Sequence, residues 1–101
     1  MGMGFVQVIE FTTSRIDEAE SLMEEWAKKT EGKRSASRGV LTKDRDRPNT
    51  YVQIVEFPSY EEASRNSDMP ETSEFAEQVA KLCDSPPTFR NLDVRRLDDF
   101  T

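Results

Sequence analysis

Two apolar segments with the same pattern lie 46 residues apart in the chain. Phe5 to Phe11 reads FVQVIEF, and Tyr51 to Phe57 reads YVQIVEF. Both are rich in the β-branched and aromatic residues that favour strands. Both are also nearly apolar on their two faces, which is typical of strands that are covered from two sides. The repeat therefore predicts two equivalent strands at the centre of one sheet.

A helical pattern follows the first of these segments. Ser14 and Asp17 have the spacing of a capping box, which predicts that the helix begins there. Gly32 can end this helix in the left-handed conformation. The buried stripe is expected to comprise the residues that recur at helical spacing, namely Ile16, Ala19, Leu22, Met23, Trp26 and Thr30.

Two helical stretches follow the second apolar segment. Ser59 and Glu62 form another capping box, which predicts a short helix through about Arg65. Residues 66–70 interrupt it, and a longer helix is predicted from about Glu71 to Asp84. Its apolar stripe contains Phe75, Val79, Leu82 and Cys83.

Two more polar segments complete the pattern. Strands are predicted at about Arg34 to Lys43 and Thr88 to Leu97, with a turn at residues 44–49 before the second apolar strand. The order βαββαβ predicts an α+β, ferredoxin-like fold, a four-stranded antiparallel sheet with helices on one face. Right-handed crossovers place the two apolar strands in its centre, where we expect this one pair to be parallel, with the charged strands at the edges.

The central strands are apolar on the face that helices would cover and also on the opposite face. Because the helices of such a fold cover one face, the opposite face needs another cover. A second copy of the same sheet is the simplest one, so we expect a homodimer formed through the sheet faces. One face of the central strands is expected to carry Phe5, Ile9, Phe11, Tyr51, Val55 and Phe57, and the other face Val6, Val8, Val52 and Ile54.

Length and composition restrict the possible functions. The 101 residues fit one domain, 1–101, and the net charge of −6 disfavours nucleic acids and anionic membranes. No apolar run approaches the ~20 residues of a transmembrane helix, and no signal-peptide pattern is expected. A single cysteine, Cys83, fits a reducing compartment and predicts a cytoplasmic location. The absence of histidine excludes Ser–His and Cys–His catalysis, histidine-ligated haem and most zinc sites.

The pattern resembles the dimeric α/β-barrel superfamily, one branch of which is the antibiotic-biosynthesis-monooxygenase-like proteins. Residues 51–63 (YVQIVEFPSYEEA) and 89–94 (FRNLDV) also look like segments of small uncharacterised actinobacterial proteins. The resemblance implies sheets packed face to face in homodimers, with a pocket between sheet and helices in each subunit. For some members it also implies cofactor-independent oxygenation of aromatic polyketides, or haem degradation by a helix histidine that this chain lacks. No catalytic residue can be transferred by motif.

Glu10 and Glu56 hold equivalent places in the two apolar strands and are candidate catalytic residues. If the strands align as the repeat suggests, the two carboxylates lie on one face, roughly 5 Å apart. Such a pair can act as a general base or recruit a cation, although we predict no metal. The structural alternative is ion pairing with the edge arginines Arg38, Arg90 or Arg96, which is commoner for such groups.

Other candidates would contact a ligand. Gln7 and Gln53 can hydrogen-bond each other, a partner subunit or a substrate. Trp26 can stack on a planar ligand or pack in the core. Asn91 can orient a substrate or an oxygen intermediate, with Arg90 beside it as a ligand-binding candidate, or both can be ordinary edge residues.

One basic region stands out in an acidic chain. It can steer an anionic ligand, or it can simply keep an edge strand and turn soluble. The basic residues are Lys33, Arg34, Arg38, Lys43, Arg45 and Arg47.

Cys83, on an apolar stripe without a neighbouring cation, is interpreted as inert core.

The leading functional hypothesis is a small-molecule pocket protein, a monooxygenase or isomerase that acts on a planar hydrophobic compound without a cofactor. The alternative is a non-enzymatic dimeric ligand-binding or regulatory module. An RNA-recognition motif shares the order of elements and displays aromatic residues on its first and third strands, as Phe5, Tyr51 and Phe57 would be. The glycines of its signature are missing and the charge is unfavourable, so we predict no nucleic-acid partner.

Overall fold

The computed structural model describes residues 4–101 and contains four strands and three helices. The sheet order is β2-β3-β1-β4, and every neighbouring pair is antiparallel. This arrangement confirms the predicted ferredoxin-like α+β fold, with two helices between the third and fourth strands. The elements are β1 (Phe5–Thr12), α1 (Ile16–Lys29), β2 (Arg38–Lys43), β3 (Thr50–Phe57), α2 (Tyr60–Ser67), α3 (Pro70–Leu82) and β4 (Thr88–Asp93).

The two central strands run antiparallel, so the predicted parallel pairing was wrong. Phe5 lies opposite Phe57, and Phe11 lies opposite Tyr51. Each βαβ crossover returns the chain to its starting direction, but the turn between β2 and β3 reverses it. Because only one such reversal separates β1 from β3, the two strands must point in opposite directions. Similar residue patterns carry no information about strand direction.

The face of the sheet that packs against the helices carries the aromatic residues of the central strands. Phe5 and Phe57 are buried together with Ala63 of α2, and the Phe5 ring meets that of Tyr60 edge-on at 5.4 Å. At the other end of the sheet, the buried rings of Phe11 and Tyr51 stack with centroids 5.8 Å apart. The predicted partition of the two faces is confirmed. Phe5, Tyr51 and Phe57 are therefore core residues rather than an exposed platform for RNA bases.

Of the two predicted serine caps, one forms. The Ser59 hydroxyl accepts from the Glu62 backbone N–H at 3.2 Å and begins α2. The prediction that Ser14 caps α1 was wrong, because Arg15 holds the N-cap position without a side-chain hydrogen bond. The buried Thr13 makes the local contacts instead, since its hydroxyl accepts from the Arg15 N–H at 2.9 Å and donates to the Leu82 carbonyl at 2.6 Å.

Several predicted boundaries shift by a few residues. β2 begins at Arg38 rather than Arg34, because residues 34 and 35 bond to α2 and to the end of α1 instead of to a strand. The Arg34 N–H donates to the Thr30 carbonyl, and the Ser35 hydroxyl donates to the Glu62 carbonyl. Gly32 adopts the predicted left-handed conformation, with φ +80°, in the turn that follows α1, whereas the C-cap of the helix is Thr30. The final strand ends at residue 93, and α3 spans 70–82 instead of 71–84.

The centre of the helix-free face is apolar, as the sequence predicted. Ile54 lies at its centre, between Val8 on one neighbouring strand and Val40 on the other. Val40 and Leu92 are 39% and 47% exposed in the single chain. Within residues 4–101, no helix combines the length and apolar composition that a membrane crossing requires.

Candidate ligand pocket

A cavity of about 590 Å³ lies between the helices and the sheet. This volume is within the range of pockets that hold drug-sized organic ligands, and most of the lining is apolar, as in such pockets. The sheet contributes alternate residues of β1 and β3, and α1 and α3 contribute one mainly apolar stripe each, whereas α2 contributes Asn66 and Ser67. The principal apolar lining residues are Ile9, Phe11, Met23, Trp26, Val55, Phe75, Val79 and Phe89.

Trp26, the only tryptophan of the sequence, lines this pocket from α1. Its indole Nε1 donates to the Thr72 hydroxyl at 3.0 Å, and its ring lies 6.1 Å from that of Phe75 in α3. The Arg34 guanidinium carbon is 5.9 Å from the indole centroid, within the range of a cation–π contact. Trp26 therefore packs against α3 and also forms part of the pocket wall, and stacking on a planar ligand stays a prediction.

Arg34, in the loop between α1 and β2, is the residue that sequence reasoning did not single out. Its Nη1 donates to the Ala27 carbonyl at 2.7 Å and lies 3.5 Å from the Thr30 hydroxyl. Within residues 4–101 it forms no ion pair with a carboxylate, whereas its neighbour Lys33 pairs with Glu71. Membership of the basic region was the one sequence signal that included it.

The two predicted glutamines both line the pocket, but they have different surroundings. Gln7 donates through Nε2 to the Asn91 side-chain oxygen at 3.2 Å, which ties β1 to β4. The side-chain oxygen of Gln53 is buried and has no hydrogen-bond partner in the described part of the chain. Gln7 lies opposite Val55 rather than Gln53, so the register offsets the two amides, and they form no hydrogen bond to each other.

Gly39 of β2 leaves room for the Gln53 amide. A Cβ atom at position 39 would lie 3.1 Å from Gln53 Nε2, closer than ordinary van der Waals contact. A side chain at this position would therefore push the amide aside. Gly39 and Gln53 together leave the amide of Gln53, whose oxygen has no hydrogen-bond partner among the described residues, in the part of the pocket wall that the sheet forms.

The predicted proximity of Glu10 and Glu56 was wrong. The antiparallel register sets Glu10 opposite Val52 and Glu56 opposite Val6, four positions apart along the strands. At the rise of an antiparallel strand this separation is about 14 Å. The strand alternation places both on the helix-free face, away from the pocket, and Arg90 lies opposite Val8 on that same face.

Ion pairs account for both carboxylates, as the structural alternative proposed. Arg38 donates to Glu56 through Nε at 3.0 Å and Nη2 at 2.8 Å. Glu10 pairs with Arg47 at 3.4 Å rather than with a predicted arginine, and Arg96 pairs with Asp98 at the C-terminal end. Within residues 4–101, no group of three or more acidic or cysteine side chains is arranged to hold a metal ion.

The described part of the pocket lining offers hydrogen-bonding groups and one cation that forms no ion pair, Arg34. Among the described residues, neither a carboxylate nor a cysteine lines it. Cys83 lies outside the lining, where its thiol donates to the Val79 carbonyl at 3.2 Å. Burial, with a smaller contribution from Asp84, raises the pKa of this thiol and so disfavours the nucleophilic thiolate.

Comparison with known proteins identifies structures that share this fold. No protein-family model matches the chain, and no curated protein matches it in sequence. Solved structures do match in fold. SnoaB, a cofactor-independent oxygenase from Streptomyces nogalater, superimposes with a TM-score of 0.77 at 21% identity, over 93% of this chain and 95% of that one.

Two further structures show the same likeness. An antibiotic biosynthesis monooxygenase has a TM-score of 0.73 at 16% identity, over 91% of this chain and 99% of its own. A conserved protein from Methanosarcina mazei has a TM-score of 0.78 at 9% identity, over 92% and 95%. At these identities the likeness establishes a shared ferredoxin-like fold, whose activity can differ from protein to protein.

Proposed function

We propose that this chain is a small-molecule-binding protein whose pocket holds a planar hydrophobic compound, and that it oxygenates this compound without a cofactor. The observation that carries the proposal is the apolar cavity of about 590 Å³ with aromatic walls and a few polar groups. The fold shared with a cofactor-independent oxygenase supports the reaction class. Trp26, Gln53 and Gln7 are the proposed ligand contacts, with Asn91 positioning Gln7.

In the proposed reaction, the substrate itself supplies the electrons that reduce O₂. A hydroxylated aromatic compound that loses a proton becomes an electron-rich anion, which can transfer electrons to O₂ itself. One oxygen atom then enters the substrate as a carbonyl, the two displaced hydrogens leave with the other oxygen atom as water, and the stoichiometry is balanced. The protein would supply a shaped, largely apolar cavity that holds the anion away from bulk water.

The pocket lining favours oxygenation over isomerisation. An isomerase must remove a proton from one carbon and return it to another atom, which requires a positioned acid–base group. The sequence contains no histidine, and among residues 4–101 no carboxylate lines the cavity. A substrate that ionises in water before it binds needs no such group.

The experiment is incubation of the purified protein with a panel of naphthalene diols and quinols under ¹⁸O₂, followed by oxygen consumption and mass spectrometry. We expect one labelled oxygen in the product. Ala76→Phe, which fills the pocket, should abolish turnover, and Ala80→Phe, an equally exposed alanine of α3 outside the lining, should retain it. Absence of both turnover and thermal stabilisation across the panel would refute the proposal.

A non-enzymatic binding or regulatory module is the second candidate. The specific observation in its favour is the lack of a proton-transfer group in the described pocket lining. Native mass spectrometry of the protein from its own cells distinguishes the two functions. A metabolite recovered unchanged after prolonged exposure to oxygen supports the binding module, and an oxygenated product supports the enzyme.

We further propose that residues 1–101 form a single domain that pairs with a second copy through the helix-free face. The support is the apolar centre of that face, formed by Ile54 with Val8 and Val40. A second copy of the same sheet would cover this surface and remove it from water.

We also propose a cytoplasmic location. The support is the unpaired Cys83, which fits a reducing compartment.

A further inference from the structure

We propose that the pocket selects planar aromatic carboxylates, and that Arg34 binds the carboxylate group. This inference rests on the proposed small-molecule function and names the chemical class of the ligand. It does not depend on whether the ligand is turned over.

The first observation is that the Arg34 guanidinium is held in place from one side only. Both of its contacts to α1, with the Ala27 carbonyl and the Thr30 hydroxyl, use Nη1. Its carbon also lies over the Trp26 ring. These contacts restrict the side chain before any ligand arrives, which lowers the entropy that binding would cost.

The second observation is that the opposite edge of the same guanidinium is free. Within residues 4–101, Nε and Nη2 of Arg34 donate to no protein atom. These two groups form the side-on fork that binds both oxygens of a carboxylate through parallel hydrogen bonds. Arg38, the other arginine in the lining, uses this same fork for Glu56 and is therefore occupied.

The third observation is the setting of this free fork. Arg34 is an exposed residue at the wall of the apolar cavity, and among the described residues no carboxylate lines that cavity to compete for it. The whole molecule carries a net charge of −6, which repels anions at long range. A carboxylate therefore gains binding energy only when it lies close to Arg34. An aromatic group that packs against the apolar walls of the cavity would hold the carboxylate there.

A matched pair of probes tests the charge directly. Naphthoate and naphthamide have nearly the same shape, but only naphthoate carries a charge and two acceptor oxygens. We expect naphthoate to bind about 10- to 100-fold more tightly, because hydrogen bonds between charged partners are the stronger ones. Isothermal titration calorimetry gives the affinities, and quenching of Trp26 fluorescence places the probe in the pocket.

Variants then assign the preference to one residue. Arg34→Gln should remove the preference for naphthoate, so that the two probes bind this variant with equal affinity. Binding of naphthamide to the variant shows that the pocket is intact. Arg34→Lys should keep part of the preference, since it retains the charge but loses the fork. Arg45→Gln, at an exposed arginine outside the lining, changes the net charge equally and should have no effect.

The outcomes separate this inference from the proposed function. Equal binding of the two probes, or an undiminished preference in Arg34→Gln, would overturn the carboxylate assignment and leave the pocket function standing. Failure of both probes and of the hydroxylated panel to bind would overturn the pocket function and this inference together. Preferential naphthoate binding that Arg34→Gln abolishes supports it.

Discussion

At the scale of single residues, Gln53 is the clearest departure from ordinary packing. Its side-chain oxygen is buried without a hydrogen-bond partner among the described residues. A buried polar group left in this way costs about 1–3 kcal/mol relative to a bonded one. Such an atom in a pocket wall is compatible with a group that a ligand would complete.

Replacement of Gln53 by leucine tests this interpretation. Gln53→Leu removes the unbonded oxygen at nearly constant size, so we expect the free energy of unfolding to stay equal or to rise by about 1 kcal/mol. The matched change Gln7→Leu removes a real hydrogen bond to Asn91 and should lower it by about 0.5 kcal/mol. Urea unfolding measures both. A marked loss of stability in Gln53→Leu would indicate that the oxygen is bonded after all.

At the scale of elements, two sequence patterns of the same kind had different outcomes. Ser14 and Ser59 each precede an acidic residue at capping-box spacing, yet only Ser59 caps a helix. Near Ser14 the buried Thr13 is bound to the end of α3, and this contact fixes the direction in which the chain enters α1. A tertiary hydrogen bond therefore displaced a local preference.

Alanine substitutions should separate the two serines. Ser59→Ala removes the acceptor of the Glu62 N–H, so we expect a loss of about 1 kcal/mol in the free energy of unfolding. Ser14→Ala should change it by less than about 0.5 kcal/mol, since surface changes away from such features have small effects. Thermal and urea unfolding provide the comparison. Equal losses in the two variants would contradict the assignment of the caps.

At the scale of the whole molecule, the helix-free face is the surface through which we propose that two copies meet. We expect the protein to have twice the 11.6 kDa mass of one chain in solution, because two copies can bury that face together. Ile54→Glu places a charge at the centre of the apolar patch and should yield single chains. Leu97→Glu, at a position 82% exposed and outside the sheet, should leave the assembly unchanged.

Light scattering coupled to size exclusion measures the mass of each variant. A wild-type protein that remains a single chain at micromolar concentration, with normal stability, would contradict the dimer. A dimer that survives Ile54→Glu would show that copies meet through a different surface.

The sequence alone was sufficient for the order of elements and for the two faces of the central strands. Alternation of side chains and capping are short-range effects, so Phe5, Phe57 and Ser59 could be assigned without knowledge of the rest of the chain. Conclusions from composition also do not depend on the fold, because a chain without histidine cannot use histidine chemistry in any structure. Trp26, Gln7 and Gln53 could be selected as pocket candidates because the sequence pattern shows an aromatic or polar residue among the apolar residues of a core-facing stripe.

Only the tertiary structure decided which groups meet across the sheet and around the pocket. The turn between β2 and β3 sets the direction of the central strands, and that direction separates Glu10 from Glu56 and binds the latter to Arg38. The free fork of Arg34 likewise depends on how the loop after α1 folds back over Trp26. Neighbours along the chain determine helices and strands, whereas a binding site depends on distant segments whose relative placement no local pattern contains.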